Sequence, residues 1–221
     1  MLNKQGKGKI DWTNYTWNPV SGCLHGCPYC YLDRIRGFDK TPAFHPERLK
    51  ELDNIPNNEP SFIFVGSSGD MFGKWVPSDW ISEVIKTMEQ YPQHTFQLLT
   101  KNPVRYHEFI FPVNCWLGTT VDGTTRTQNN LELLKDVARK GRNKAFVSFE
   151  PLLEEVHPTL DEISWVIIGG KSGNPPFYPP EFWVNNIIHA ARERCIKIFI
   201  KDNAKFSREV KEFPQEMFYE P

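Results

Sequence analysis

Seven short, mostly continuous apolar runs constrain the fold of this chain more than any other feature. They lie at residues 15–20, 61–65, 95–99, 114–119, 145–149, 165–168 and 197–200. Apolar runs without strict alternation are typical of parallel strands that are covered on both faces. The sequence therefore predicts seven buried strands in a mainly parallel sheet.

Helical patterns separate several of these runs. The clearest cover residues 77–90, 126–140 and 180–194, and shorter ones cover 31–36, 47–53 and 104–109. Ser78 and Asp79 supply capping chemistry for the first helix, and Gly141 stands where a helix C-terminus favours glycine. Alternating β and α segments predict an α/β fold, either a (β/α) barrel or a large open parallel sheet. We favour an incomplete barrel.

Size and charge narrow the class of protein. A chain of 221 residues is expected to form one domain, over residues 1–221. Its 26 basic and 27 acidic residues give a net charge of -1, so it lacks the overall basic field that attracts nucleic acids or anionic membranes. No apolar run reaches the ~18 residues of a membrane span, and the first residues lack a secretory signal's apolar core. We therefore expect a cytoplasmic protein with no membrane partner.

Polar residues and glycines follow the predicted strands. They are Gly66, Ser67, Ser68 and Asp70, then Thr100 and Lys101, then Thr119, Thr120 and Asp122, then Glu150, then Gly169, Gly170, Lys171 and Ser172, and finally Lys201 and Asp202. In parallel α/β folds the carboxyl ends of the strands form the active face. Any single one of these residues has a simple alternative role in a solvated loop. Three lysines that each directly follow a strand nevertheless indicate a site for a carboxylate or phosphate.

Three of the five cysteines lie within eight residues. Cys23, Cys27 and Cys30 have the spacing C-x3-C-x2-C, in a segment that we call the cysteine loop (residues 21–31). Such clustering suits a thiolate site in a reducing compartment better than a set of disulfides. Thiolates select zinc or iron–sulfur clusters, so the loop predicts a metal centre.

Two kinds of metal centre remain open on spacing alone. A structural zinc needs a fourth ligand, for which His25, Cys115 and Cys195 are the candidates, and none has convincing spacing. The corresponding alternative function is a non-catalytic zinc module that recognises a protein or nucleic acid partner. The second kind is an iron–sulfur centre, for example in an electron carrier, although four cysteines usually close such a cluster. Three ligands without a fourth leave one coordination position open.

The cysteine loop resembles the signature of the radical S-adenosylmethionine (radical SAM) superfamily, because Tyr29 places an aromatic residue directly before the third cysteine. The segments IDWTNYTWNPVSGC, HTFQLLTKNP, WLGTTVD, FVSFEPLL and WVIIGGKSG resemble a phage and bacterial branch of unassigned function. Superfamily members are (β/α)6 partial barrels with the cysteine loop after the first strand. The resemblance therefore implies an incomplete (β/α)6-type parallel barrel with an additional C-terminal strand.

The resemblance also implies a chemistry. Cys23, Cys27 and Cys30 would hold three irons of a 4Fe-4S cluster, and S-adenosylmethionine would chelate the fourth iron. Reductive cleavage of that cofactor would give a 5'-deoxyadenosyl radical for hydrogen abstraction from a substrate. The residues that would bind the cofactor are Ser67, Ser68, Asp70, Lys101, Thr119, Asp122, Glu150, Gly169, Gly170 and Lys201. Glycines in this set would permit close approach of the backbone.

The partners implied are a one-electron donor of the flavodoxin or ferredoxin type and a substrate of open identity. A nucleobase or nucleic acid is suggested only by the phage-like resemblance, and small metabolites and peptides stay open. The catalytic residues that act on the substrate are not identified by the sequence.

Overall fold

A computed structural model describes residues 1–6, 8–56 and 58–215. Its strands are β1 (Leu2–Lys4), β2 (Tyr15–Trp17), β3 (Val20–Ser21), β4 (Ala43–Phe44), β5 (Phe62–Val65), β6 (Thr95–Thr100), β7 (Cys115–Thr120), β8 (Ala145–Phe149), β9 (Ile163–Ile168) and β10 (Lys197–Ile200). Eight of them form one sheet in the order β1-β2-β5-β6-β7-β8-β9-β10. In this sheet only the β1–β2 pairing is antiparallel. Seven consecutive parallel strands confirm the predicted class, a mixed α/β fold with a mostly parallel central sheet.

The connections are less regular than a series of β/α repeats. Helices α1 (Ser78–Glu89), α2 (Asn130–Lys140) and α3 (Glu181–Arg192) follow β5, β7 and β9, and 3-10 helices occupy Tyr31–Arg34, Pro46–Asn54, Pro103–Glu108 and Asp202–Ala204. The three short helices expected from the sequence thus form as 3-10 turns, which suit segments too short to offset the cost of α-helix nucleation. Because β8 joins β9 without a helix, the predicted count of six β/α repeats is not confirmed.

The first parallel strand is shorter than the run 15–20 that predicted it. β2 ends at Trp17, because Pro19 has no backbone N–H for a ladder. The side chain of Asn18 instead bonds the chain after β5, accepting from the Ser68 amide at 2.7 Å. Val20 and Ser21 then pair antiparallel with β4 in a separate two-stranded sheet. This break turns the chain out of the main sheet just before the cysteine loop.

Alternate side chains of the parallel strands pack into two separate clusters. One face carries the buried residues Trp12, Phe62, Phe64, Trp116, Phe146, Trp165, Ile167 and Phe199. The opposite face is mainly aliphatic and packs against the helices, for example against Ile81, Leu134 and Ile187, which are 0% exposed. Burial on both faces explains why the strands are nearly continuous apolar runs in the sequence. We call the first cluster the aromatic interior.

The sheet curves around the aromatic interior without closing. Phe213 contacts Phe62 of β5 and Phe199 of β10, with ring centroids 5.8 and 5.3 Å apart, so it joins the two halves of the curve. The edge of β10 is covered by the segment 210–212, in which the Glu212 amide donates to the Ile198 carbonyl at 2.9 Å. Lys211 Nζ lies 2.7 Å from Asp11 Oδ2 and ties this segment to the chain after β1. The architecture is a partial barrel.

No helix in the described ranges combines the length and apolar character needed to cross a membrane.

Gly118 of β7 tests the packing of the aromatic interior. A Cβ at this position would overlap the Phe146 ring, whereas a Cβ on Gly6 would meet nothing within 4 Å. We expect Gly118→Ala to lower the free energy of unfolding by ~1–3 kcal/mol, as overpacking does in other cores. Chemical denaturation measures this, with Gly6→Ala as the matched control. Equal stability of the two variants would contradict the close packing.

Glu212 gives a pH-dependent prediction. Its carboxylate accepts from Arg192 Nη1 and Nη2 at 2.7 and 2.6 Å, and these bonds hold its pKa below the ordinary 4.5. A carboxyl whose pKa is lowered on folding adds stability above its unfolded pKa, and that stability is lost as the pH falls through its folded pKa. We expect Glu212→Gln to be less stable than the wild type at pH 7, with a difference that shrinks below about pH 4.

Denaturation curves recorded from pH 3 to pH 7 test this, with the exposed Glu209→Gln as the control variant. A gap between Glu212→Gln and the wild type that stays constant over this range would show that the carboxylate charge is not what stabilises the segment.

Candidate functional site

A cavity of about 590 Å³ opens at the carboxyl ends of the parallel strands. Its floor is apolar and includes Trp12, Phe64 and Leu99 from the aromatic interior and its border. Its walls come from the cysteine loop and from residues that follow or end β5 to β10. A concave, largely apolar pocket with a few convergent polar groups is the usual form of a small-molecule site.

Most of the residues predicted for the site line this cavity. Those that do are Cys23, Cys27, Cys30, Ser67, Asp70, Lys101, Glu150, Gly170 and Lys201, and Lys171 joins them. The lining residues do not include Ser68, Thr119, Asp122 or Gly169. Thr119 is buried and donates to the Thr100 carbonyl at 2.7 Å, so its hydroxyl bridges two neighbouring strands. The three lysines that directly follow strands do meet at one cavity.

The period of two along each strand explains these placements. Trp116 belongs to the aromatic interior, so Thr120, four residues later, faces the same side and lines the cavity, whereas Thr119 faces the other side. Phe146 also belongs to the aromatic interior, so Ser148 and Glu150, two and four residues later, face the same side and line the cavity. Ser148 was missed from the sequence, and Thr120 was named among the polar residues at the strand ends but not as a cofactor contact. Counting by two from the interior aromatics would have singled out both.

Two glycines anchor the start of the cysteine loop. Gly22 and Gly69 form a parallel bridge, and the Gly22 amide donates to the Ser68 carbonyl at 3.1 Å. Gly22 has a φ of +88°, and a Cβ built on Gly69 would lie 2.5 Å from the Gly22 carbonyl oxygen. Only glycine allows this conformation and this approach of the two backbones. The contact fixes the loop at the end of β5, directly above the cavity.

The thiols of the cysteine loop share the cavity as free cysteines. Burial raises the pKa of Cys23 to about 11. Among the residues that the structure describes, no group of three or more His, Cys, Asp or Glu is gathered closely enough to hold one metal ion. A cluster of several irons binds each thiolate at a different iron atom and therefore needs wider separation of the sulfurs than a single ion does. Three thiols on a common cavity are donors of the kind that such a cluster uses.

The three candidates for a fourth zinc ligand differ in their position relative to the loop. His25 lines the cavity, and its Nε2 lies 2.7 Å from Asp70 Oδ2, an arrangement that leaves Nδ1 for a metal ion. Cys115 is buried on the helix-covered face of the sheet, where its Sγ lies 3.9 Å from the sulfur of Met88. Cys195 is exposed and lies in the turn before β10. Of this set, only His25 shares the cavity with the loop thiols.

Asp70 follows β5 and is almost fully buried. Its Oδ1 accepts from the Phe72 amide and from Thr100 Oγ1, and its Oδ2 accepts from the Lys101 amide and pairs with His25. Burial disfavours the charged form, but the hydrogen bond to His25 and the others outweigh it and hold the pKa of Asp70 below its usual value. Asp70 is thus an ionised carboxylate with four protein donors.

Asp122 follows β7 and is fully buried. Its Oδ1 accepts from the Thr124 amide and hydroxyl and from the Thr127 hydroxyl, and its Oδ2 accepts from the Tyr29 hydroxyl. These bonds outweigh burial and keep the pKa of Asp122 low, while burial and the hydrogen bond to Asp122 raise the pKa of Tyr29. Tyr29 is therefore a neutral donor, and Lys101 Nζ lies 5.7 Å from the centre of its ring.

Glu150 and Lys201 form an ion pair on the opposite wall of the cavity, with Lys201 Nζ 2.5 Å from Glu150 Oε1. Asn203 Nδ2 donates to the same carboxylate oxygen at 3.2 Å and to the Gly170 carbonyl at 2.9 Å. A Cβ on Gly170 would overlap the Asn203 backbone, so the glycine permits this contact. Across the described residues Glu150 Oε2 has no protein partner.

Comparison with solved structures identifies the class of fold. A single-residue mutant of spore photoproduct lyase, a radical SAM enzyme, matches with a TM-score of 0.55 at 10% sequence identity, over 90% of this chain and 78% of that one. Spore photoproduct lyase complexed with dinucleoside spore photoproduct matches with a TM-score of 0.48 at 11% identity, over 76% of this chain and 58% of that one. The first of these matches shows that the fold is similar to that of a radical SAM enzyme.

The family model described as "Protein of unknown function (DUF5131)" matches residues 7–216. The chain belongs to this family. No curated protein matches it. The phage and bacterial placement suggested by the sequence segments stays a prediction.

The environments of Cys115 and Cys195 give a chemical test of the structure. Burial raises the pKa of Cys115 strongly, while Cys195 is exposed. Because the thiolate is the reactive species, we expect an alkylating reagent at pH 8 to modify Cys195 in the folded protein and Cys115 only after unfolding. Peptide mass spectrometry of the metal-free protein measures this. Early modification of Cys115 would contradict its place beneath α1.

Proposed function

We propose that this chain is a radical SAM enzyme that uses a 4Fe-4S cluster and S-adenosylmethionine to abstract hydrogen from a substrate. One observation carries the proposal. The three free thiols of a C-x3-C-x2-C loop line a single cavity at the carboxyl ends of the strands, in a fold similar to that of a radical SAM enzyme. The active face of parallel α/β folds lies at this end.

Cys23, Cys27 and Cys30 are the proposed ligands of three irons, and the fourth iron is left for S-adenosylmethionine. When bound there, the reduced cluster and this cofactor together supply a 5'-deoxyadenosyl radical. The chain's own contribution is to orient and to exclude water. Trp12, Phe64 and Leu99 close the cavity below with apolar side chains, which protects a reactive species from solvent.

The polar residues of the cavity walls differ in their capacity to form new hydrogen bonds. Lys101, Lys171 and Lys201 bring three ammonium groups to the cavity, which suits a carboxylate such as that of the cofactor or of the substrate. Glu150 retains one free carboxylate oxygen for an ammonium or hydroxyl group. We propose these four residues as the main polar contacts of the cofactor and substrate.

The other predicted cofactor contacts differ in their support. Ser67 lines the cavity, but its hydroxyl is already engaged with Asn18 at 3.0 Å. Gly170 lines the cavity as well, whereas Ser68, Thr119 and Gly169 lie outside its lining residues. Asp70 and Asp122 are already bonded to His25 and Tyr29 of the cysteine loop.

We propose a single-domain enzyme over residues 1–221 that is cytoplasmic. It receives one electron from a flavodoxin- or ferredoxin-like donor. It leaves the substrate open among nucleobases or nucleic acids, small metabolites and peptides.

Anaerobic purification tests the proposal directly. We expect about four irons and four sulfides per chain, an electron paramagnetic resonance spectrum of the reduced protein that changes on addition of S-adenosylmethionine, and 5'-deoxyadenosine with a strong reductant. Cys27→Ala is expected to lose iron and to abolish cleavage. The matched control is Cys195→Ala, which removes an exposed thiol away from the cavity and is expected to match the wild type.

Each contrary result would point to a different alternative. Zinc without iron in the anaerobically purified protein would replace the enzyme with the structural-zinc alternative. A full cluster that neither binds nor cleaves S-adenosylmethionine would make the chain an electron carrier. Cleavage that persists in Cys27→Ala would overturn the assignment of the ligands.

A further inference from the structure

We infer that Asp70 and Asp122 position the cysteine loop by binding the side chains on either side of Cys27, and that neither carboxylate contacts the cofactor. The inference depends on the proposed function only for the identity of the metal group that the cysteine loop binds. The two carboxylates come from the loops after β5 and β7, and we call the two contacts together the carboxylate clamp: His25 with Asp70, and Tyr29 with Asp122.

The clamp is symmetric about the middle cysteine. His25 stands two residues before Cys27 and Tyr29 stands two residues after it. A third contact holds the backbone between them, since Arg126 Nη2 donates to the His25 carbonyl at 2.6 Å. The cysteine loop is thereby attached to two different strand ends, in addition to its glycine bridge to Gly69.

Both carboxylates are already bonded by four protein donors, and a carboxylate offers about four lone-pair sites. Two backbone amides, one hydroxyl and an imidazole serve Asp70, with two bonds on each oxygen. One backbone amide and three hydroxyls serve Asp122, with three bonds on Oδ1 and one on Oδ2. Asp70 borders the cavity but is 6% exposed, and Asp122 is 0% exposed and lies outside the lining residues. An incoming ammonium group would therefore compete with bonds that are already formed.

The physical effect is to order the ligands before the metal centre is bound. A short segment with Gly26 and Pro28 between its cysteines has no regular hydrogen-bonding pattern of its own until the 3-10 helix at Tyr31–Arg34. Side chains that bind outside groups fix the orientation of neighbouring ligands, as partners of metal ligands do in other sites. The clamp therefore sets where Cys27 points.

Tyr29→Phe tests the clamp with little disturbance, because the ring stays beside Lys101 and only the hydroxyl is removed. In the metal-free protein we expect amide hydrogen exchange over residues 22–31 to rise about tenfold, as expected for the loss of one hydrogen bond to a charged group. Tyr31→Phe is the matched control, since it removes an exposed phenol hydroxyl from the same loop. Its exchange is expected to equal that of the wild type.

A double variant separates the clamp from a direct role of Asp122. If Asp122 acts through Tyr29, Asp122→Ala and Tyr29→Phe/Asp122→Ala are expected to show the same loop exchange, because alanine has no acceptor for the Tyr29 hydroxyl and the bond is already lost in either single variant. His25→Gln examines the other arm in the same way and does not alter a buried carboxylate. In the cluster-loaded protein, Tyr29→Phe is expected to change the paramagnetic resonance spectrum while its thermal midpoint stays that of Tyr31→Phe.

The outcomes distinguish the clamp from the proposed function. Loop exchange in Tyr29→Phe and His25→Gln equal to that of Tyr31→Phe would overturn the clamp. Weaker binding of S-adenosylmethionine in Asp122→Ala with unchanged loop exchange would also overturn it, in favour of direct contact. Raised loop exchange in a protein that binds only zinc would uphold the clamp and reject the radical SAM assignment.

Discussion

The packing of aromatic rings inside the curved sheet is the constraint on which the site depends. Trp12, Phe146 and Trp165 contact one another with ring centroids 5.9–6.5 Å apart and fill the lower part of the partial barrel. These rings fill most of that level, where the buried Gln97 donates its side-chain amide to the Trp12 carbonyl at 3.3 Å. The polar residues that line the cavity lie above them. The cavity begins where the rings end, at the carboxyl ends of the strands. Gly118 shows how closely the rings fit, since a single added methyl group would overlap Phe146.

Above the rings, the three carboxylates near the cavity differ in how many hydrogen bonds they already accept from the protein. Asp70 and Asp122 are ionised, buried and bonded by four protein donors each, so they act as fixed parts of the scaffold. Glu150 shares one oxygen with Lys201 and keeps the other free. Sequence position alone does not separate these roles, because all three residues follow strands. The number of donors that each carboxylate already accepts does separate them.

Much of the fold could be predicted from the sequence, because parallel strands buried on both faces leave continuous apolar runs. All seven predicted strands lie in the order of the chain within one sheet. The antiparallel β1 was not predicted, since three residues, of which two are exposed, carry no pattern. The break after Trp17 needed attention to Pro19, whose missing N–H ends the ladder. The short helices were placed correctly, but their 3-10 geometry depends on tertiary contacts that the sequence does not display.

The site was predictable only in part. The spacing of Cys23, Cys27 and Cys30 is local, and so the loop could be recognised at once. The pairs His25–Asp70 and Tyr29–Asp122 join residues 45 and 93 positions apart, and no local pattern indicates them. Thr119 was chosen as a cofactor contact, and Thr120 was not, because the choice followed the family resemblance and not the parity of the strand. Counting by two from an interior aromatic residue is the better rule for this fold.

The segment 210–213 has a consequence for the order in which the molecule is assembled. The cysteine loop is synthesised early, but its anchors at Asp70 and Asp122 follow much later, and Phe213 and the Lys211–Asp11 pair, 200 residues apart, come later still. Contacts between such distant parts of a chain form slowly, because a large loop must close first. The cavity therefore gains its last wall, at Lys201, only after nearly all of the described chain has been made. Under the proposed function, we expect the cluster to be installed once synthesis has passed the segment 210–213 and not as the loop emerges.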